Sequence, residues 1–266
     1  MKQISILGCG WLGMPLAKQL LQNGYSVKGS TTTESKLELL QKEGISPFLI
    51  SLKAKETQLE IGAFLENSEI LIINIPPKLR GNSGENFVEK IENFIPFIEK
   101  SSVKKVLFVS STSVYADENQ VITEETHPKP ETESGKQLLI SENLLLKNKN
   151  FQTTILRFGG LIGKDRHPVK FLSGKNNIEN PEAPINLIHQ EDCIKIIEKV
   201  IKKGIWNVVF NAVAPFHPSR KEYYTNKAKE LNLPLPQFNE NQISIGKRVI
   251  SDKLIQVLKY DFKNLG

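Results

Sequence analysis

Short, continuously apolar runs alternate with amphipathic stretches along the first part of the chain. Residues 4–7, 26–30, 47–50, 70–75 and 103–110 are rich in aliphatic and β-branched side chains and predict strands. Several lack the polar alternation of a half-exposed strand, as expected where both faces of a sheet are covered. Between them, residues 12–22, 35–42 and 86–100 carry apolar positions at helical spacing. Repeated strand–helix alternation predicts a doubly wound α/β fold with a parallel sheet and right-handed crossovers. A polar stretch, 116–131, interrupts the pattern; a helix over 135–147 and a strand over 153–157 then resume it.

Beyond Arg157 the texture changes. Gly159, Gly160, Gly163, Pro168, Gly174, Pro181 and Pro184 divide the chain into short pieces. Later segments predict a helix at 192–202, a strand at 206–211, a helix at 219–231 and a short final element at 251–259. The expected organisation is a Rossmann-like domain over 1–157 and a mixed region over 158–266. That second region forms a smaller substrate lobe and returns elements to the sheet.

The 266 residues include 39% hydrophobic and 24% charged positions, enough apolar material for a packed core. The net charge of +6 is concentrated late: residues 195–266 hold 13 Lys/Arg against 6 Asp/Glu. A solvated basic face or an anionic small-molecule substrate suits this surplus. Nucleic acid suits it less, because aromatic residues are not interleaved with the cations. The two cysteines, Cys9 and Cys193, have no ligand-like neighbours, so neither a disulfide framework nor a metal site is expected, and a cytoplasmic setting fits. No apolar run approaches the roughly 20 residues of a membrane span.

The first strand runs directly into Gly8-Cys9-Gly10-Trp11-Leu12-Gly13, and a helix follows. In that context G-x-G-x-x-G points to a dinucleotide diphosphate. Gly8 permits the tight turn, Gly10 lets a diphosphate approach the backbone, and Gly13 lets helix pack on strand. The helix start, with Trp11 and Leu12, offers unpaired N–H groups and the positive end of the helix dipole. Trp11 would cover the cofactor or plug the sheet.

The end of the second strand selects between cofactors. A site for NAD generally places Asp or Glu there to bind the ribose 2′-hydroxyl. This chain instead has Ser30-Thr31-Thr32-Thr33 with Lys36 behind, which suits the 2′-phosphate of NADP better than NAD. Glu34 complicates the pattern; with Thr31 it also fits a capping box. Asn74-Ile75-Pro76-Pro77 follows the fourth strand, either as a rigid loop beside the nicotinamide or as a plain strand terminator.

Residues 106–115, with Ser110-Ser111-Thr112-Ser113-Val114-Tyr115 at their end, resemble the S-S-x-x-V-Y-G segment of the extended short-chain dehydrogenase/reductases, the group of nucleotide-sugar epimerases and dehydratases. Further stretches agree in order: Glu124 to Pro130 before a helix, Lys136 with Glu142, the run from Leu156-Arg157 to Gly163, and Ile188-His189-Gln190-Glu191-Asp192. His217 to Arg220 and Gly246-Lys247-Arg248 look closest to atypical members grouped as NAD(P)-dependent epimerases. The resemblance implies an NADP-binding oxidoreductase or epimerase, a small-molecule substrate such as a sugar nucleotide, and a homodimer. By position it implies that Ser111 orients the substrate oxygen, that Lys136 binds the nicotinamide ribose, and that Ser110 lies beside the cofactor.

Two departures stand out. The glycine loop of extended members is usually G-x-x-G-x-x-G, and here Leu7 holds the first of those positions. In the Tyr-x-x-x-Lys pair of the family, the position four before Lys136 is Thr132. A threonine hydroxyl is shorter and far less acidic than a phenol, and positioned acid–base catalysis is worth about 10²–10⁴-fold. A second reading is therefore a non-catalytic NADP(H)-binding sensor. Among the other candidates, Tyr115 is expected to anchor a loop, Asp192 to cap a helix, and His189 to sit at a helix start. Glu131 and Glu133 are expected to be solvated.

Overall fold

In a computed structural model, residues 2–52, 58–77 and 86–263 are described. The chain order is β1 (Gln3–Leu7), α1 (Gly13–Gln22), β2 (Ser26–Thr31), α2 (Leu37–Lys42), β3 (Ser46–Leu49), α3 (Gln58–Leu65), β4 (Ile70–Ile73), α4 (Phe87–Lys100), β5 (Lys105–Ser111), β6 (Gln120–Ile122), α5 (Glu133–Lys147) and β7 (Gln152–Phe158). The later elements are β8 (Gly160–Ile162), α6 (Val169–Leu172), β9 (Leu187–His189), α7 (Gln190–Lys203), β10 (Val208–Ala212), α8 (Arg220–Glu230), β11 (Lys247–Val249) and α9 (Asp252–Leu258).

Seven strands form one parallel sheet in the order β10-β7-β5-β4-β1-β2-β3. Side chains that alternate along each strand fill two separate cores. Ile70 and Ile72 of β4 face one core, with Leu16, Leu20, Ile197 and Val200 of α1 and α7. Leu71 and Ile73 face the other, with Ile91, Phe94 and Leu138 of α4 and α5. Covering both faces in this way is what makes the strands read as unbroken apolar runs.

Helices follow from spacing and caps. In α1, Gly13, Leu16, Ala17 and Leu20 are buried on one stripe. In α4, Asn86 caps by accepting from the Glu89 N–H, and Phe87, Ile91, Phe94 and Ile98 form the inner face. Helix α7 ends at Gly204, whose φ of +64° is the left-handed conformation glycine adopts without strain.

The late region contains pairings that periodicity does not reveal. β6 pairs in parallel with β11, and β8 with β9, each over three residues. The polar stretch 116–131 thus contributes a strand to a partner more than a hundred residues later. A third apolar cluster joins Ile162, Val169, Ile185, Leu187, Tyr223 and Tyr224 beneath this region. Asp192 does not cap its helix as expected. His189 does, its Nδ1 accepting from the Glu191 N–H, while Asp192 is buried one turn in and accepts from the Tyr260 hydroxyl at 2.6 Å. Among the described residues, no helix is long and apolar enough to cross a membrane.

Candidate cofactor and active site

Strand order reverses between β1 and β4, and ligands of open α/β sheets bind in the crevice at that point. Here the crevice is a cleft of about 200 Å³. Gly8, Gly10, Ser30, Thr31, Thr32 and Lys36 line it, with Asn74, Ile75 and Pro76 from the opposite loop. Most of the cofactor residues expected from the sequence therefore meet in one place.

Gly8 and Gly13 have a visible steric reason. Gly8 has φ +103°, and a Cβ there would stand 2.6 Å from the Asn74 carbonyl oxygen. A Cβ on Gly13 would stand 2.2 Å from the Gly8 carbonyl oxygen, so helix α1 could not pack against the turn. At Gly10 nothing lies within 4 Å: this position opens onto the cleft. Among the described residues, no hydrogen bond uses the N–H of Gly10, Trp11 or Leu12. An open cradle rimmed by unused donors at a helix start fits a diphosphate.

The loop is held from both sides. The Gly8 N–H donates to Ser30 Oγ at 3.0 Å, the Cys9 N–H donates to the Ser30 carbonyl at 2.7 Å, and Asn74 Nδ2 donates to the Gly8 carbonyl at 3.0 Å. Ser30 thus acts on the loop as well as on the cleft. Burial pushes the Cys9 thiol up to about 12, so it is a packing residue and not a nucleophile. The capping box does not form: Thr31 Oγ1 accepts from the Thr33 N–H, and Glu34 is absent from the cleft lining while Lys36 is part of it.

The side chains of three cofactor candidates take other positions. That of Leu12 joins the core, so only its backbone N–H is left to the cradle. Trp11 is not part of the cleft lining; its indole N–H donates to Asp165 Oδ1 at 2.8 Å, and the Arg166 guanidinium lies 5.1 Å from its ring centre. Ser110 turns its hydroxyl into the protein, donating to Glu142 Oε1 at 2.5 Å.

That contact opens a buried polar network. Ser110, Arg157 and Asn211 are in register across β5, β7 and β10. Arg157 donates to both Glu142 oxygens and to the Tyr115 hydroxyl, and Tyr115 donates to Asn211 Oδ1 at 3.0 Å. Burial pushes the Tyr115 phenol up against the opposing pull of Arg157. With its oxygen accepting and its proton committed, Tyr115 anchors its loop, as its sequence context suggests. Glu124 accepts from the Asn211 N–H at 2.7 Å, and burial raises its carboxyl. Glu142 and Glu124 are missed as site-supporting residues by spacing alone, because their partners lie on other strands.

At the C-terminal end of β5, half-buried Ser111 accepts from the Ser113 N–H at 3.1 Å, leaving its own proton to donate. Thr132 caps α5, accepting from the Gly135 N–H at 3.1 Å. Lys136 is exposed one turn into the helix, and no ion pair joins it to Glu131 or Glu133 among the described residues. Glu131 instead accepts from the Asp117 N–H, and Glu133 from Gln137.

A parallel sheet with a glycine turn and an open N–H cradle at its switch point defines a Rossmann-like dinucleotide-binding protein. Residues 8–188 match the model of the NAD(P)H-binding family, and the chain belongs to that family. It is 33% identical to Protein YeeZ of Escherichia coli K12 over 95% of this chain and 92% of that protein. Identity to the sterol-4-alpha-carboxylate 3-dehydrogenase (decarboxylating) of Dictyostelium discoideum is 23%, over 84% and 74% of the two chains. The fold is shared with the UDP-glucose 4-epimerase of Thermotoga maritima solved with UDP-glucose: TM-score 0.82, 18% identity, 98% and 94% covered. It is also shared with MoeE5 solved with UDP-glucose and NAD: TM-score 0.81, 16% identity, 98% and 94% covered.

Proposed function

We propose that this chain is an NADP-dependent oxidoreductase or epimerase that acts on a small anionic substrate of the sugar-nucleotide kind. The observation that carries the cofactor choice is the rim at the end of β2. Hydroxyls of Thr31, Thr32 and Thr33 and the ammonium of Lys36 line the cleft, and among the described residues no carboxylate does. A carboxylate there would repel a 2′-phosphate, whereas hydroxyls and a cation favour it. Isothermal calorimetry with NADPH and NADH tests this directly: tighter NADPH binding, lost in Lys36→Ala, is expected, and equal or tighter NADH binding refutes it.

When bound, the nicotinamide supplies or accepts a hydride. The chain's own residues orient and protonate. Ser111 offers its proton to a substrate oxygen, and Lys136, unpaired with its acidic neighbours, is available to the ribose. Thr132, whose oxygen is held by the Gly135 N–H, can relay a proton from water but cannot supply one as a phenol would. The late region, 158–266, carries the basic surplus that suits an anionic substrate, and the neighbouring structures solved with UDP-glucose support that class. Two unpaired, buried thiols suit the cytoplasm, and a homodimer completes the reading, to be checked by sedimentation.

The engagement of Tyr115 and Thr132 favours one rival: a cofactor-binding sensor without turnover. A panel of sugar nucleotides and small carbonyls incubated with NADPH separates the two. Cofactor oxidation or an epimerised product supports the enzyme; tight binding with no turnover across the panel supports the sensor.

A further inference from the structure

The glycine loop is fastened from the far side of the chain. The turn at residues 163–166 closes on itself through the Gly163 N–H to Arg166 carbonyl bond at 2.8 Å and the reverse bond at 3.2 Å. It presses on Trp11 in three ways. Asp165 accepts from the indole N–H at 2.8 Å, the Arg166 guanidinium lies 5.1 Å from the ring centre, and a Cβ on Gly163 would stand 2.8 Å from Trp11 Cζ2. Gln190, the first residue of α7, holds the other end of the same residue, donating from Nε2 to the Trp11 carbonyl at 2.6 Å.

Trp11 is therefore gripped at side chain and backbone by a region that begins about 150 residues later. The peptides on either side of Trp11 carry two of the unused N–H groups of the cradle, those of Trp11 and Leu12. Rotation of either peptide would redirect its donor, and preorganised donors bind an anion at lower entropic cost than mobile ones. Arg166 and Lys164 flank Asp165, so the turn carries a net positive charge, and Arg166 brings its part of it to Trp11.

We propose that residues 163–166 form a strap that holds the diphosphate-gripping loop in its binding geometry, with Asp165 and Arg166 as positioning residues acting through Trp11. The strap makes cofactor affinity depend on the arrangement of the late region, and cofactor binding in turn stabilises that arrangement. This rests on the NADP-binding reading above.

The test uses the full chain in a Trp206→Phe background, so that Trp11 is the sole tryptophan. NADPH affinity is measured by calorimetry, release by stopped-flow fluorescence of Trp11, and stability by thermal unfolding. Asp165→Ala is expected to weaken NADPH about fivefold, the factor one ordinary hydrogen bond supplies, and to speed release. Asp165→Asn keeps an acceptor oxygen and is expected to restore most of the affinity. Arg166→Ala should weaken binding as well, and the Trp11 emission of Asp165→Ala should shift to the red. The unfolding midpoint without nucleotide should be unchanged in all three, since the turn is exposed. If the unsubstituted background binds NADPH while Asp165→Ala and Arg166→Ala bind it equally tightly, the strap is overturned alone. A background with no affinity for NADPH or NADH removes the cofactor reading, and the strap with it.

Discussion

Arg157 and Glu142 form a nearly dry ion pair beneath the C-terminal ends of β5 and β7. The closest contact, Nη2 to Oε2, is 2.6 Å, and Nε reaches both carboxylate oxygens at 3.1 Å. The pair also holds Ser110 and Tyr115, and so sets the two ends of the Ser110–Tyr115 segment around Ser111. Glu142→Gln should leave a buried guanidinium without its counter-charge and cost about 3–5 kcal/mol in urea unfolding. A Glu142→Leu, Arg157→Met double variant should cost much less, because both desolvation penalties disappear together.

Gly10→Ala separates folding from binding. Nothing lies within 4 Å of the added methyl, so the melting temperature should hold or rise slightly. The methyl would occupy the cradle, and NADPH binding by calorimetry should fall below detection. Gly13→Ala, in contrast, collides with the Gly8 carbonyl and should lower both stability and binding.

Ser111→Ala should reduce kcat/KM about a hundredfold on any accepted substrate while leaving the NADPH dissociation constant unchanged, the signature of a donor aimed at the reacting oxygen. An equal loss in both quantities would point to a folding role through the Ser113 N–H instead.

Thr132→Ala should cost about 1 kcal/mol of stability, the usual value of a helix N-cap. Thr132→Tyr forfeits the same cap but installs a phenol beside Lys136. Steady-state assays should show turnover rising above the parent if the chain is an enzyme working without its family's acid, and no turnover in either form if it is a sensor.

His167 carries a pH signature. Its Nδ1 accepts from the Val169 N–H and its Nε2 faces the Tyr223 hydroxyl at 3.1 Å, so the half-buried ring is held neutral. Burial, aided by Lys227, lowers its pKa from 6.5 to about 4. The unfolded chain then binds the extra proton first, so stability is full above pH 6.5 and declines as pH falls toward 4. His217 is lowered as well and shares part of this window. The decline attributable to His167 is therefore read as the difference between parent and His167→Asn in urea titrations at pH 7 and pH 4.5, and the variant should lose less.

Much of the sheet was legible because its strands are covered on both faces and its crossovers are helices. The short pairings were not. Gln120–Ile122 and Lys247–Val249 are three residues each, and no local period announces a partner so far along the chain. The cofactor cleft was legible for a related reason: Gly8, Gly10, Gly13 and the Ser30–Thr33 run act through backbone shape and hydroxyls in two adjacent βα turns. Trp11 and Ser110 were not, since what they do is decided by Asp165 and Glu142 on other elements. Thr31 and Glu34 have the spacing of a cap, but the turn closes locally through the Thr33 N–H before a helix begins.

The place of β10 has a consequence for synthesis. Among the described residues, Val208–Ala212 pairs as a strand only with Gln152–Phe158, and the face it shares with Leu254 and Leu258 stays uncovered until α9, some forty residues further along, has left the ribosome. A nascent chain paused in that interval presents an apolar, parallel ribbon to its surroundings, the kind of surface on which chaperones act and aggregates begin.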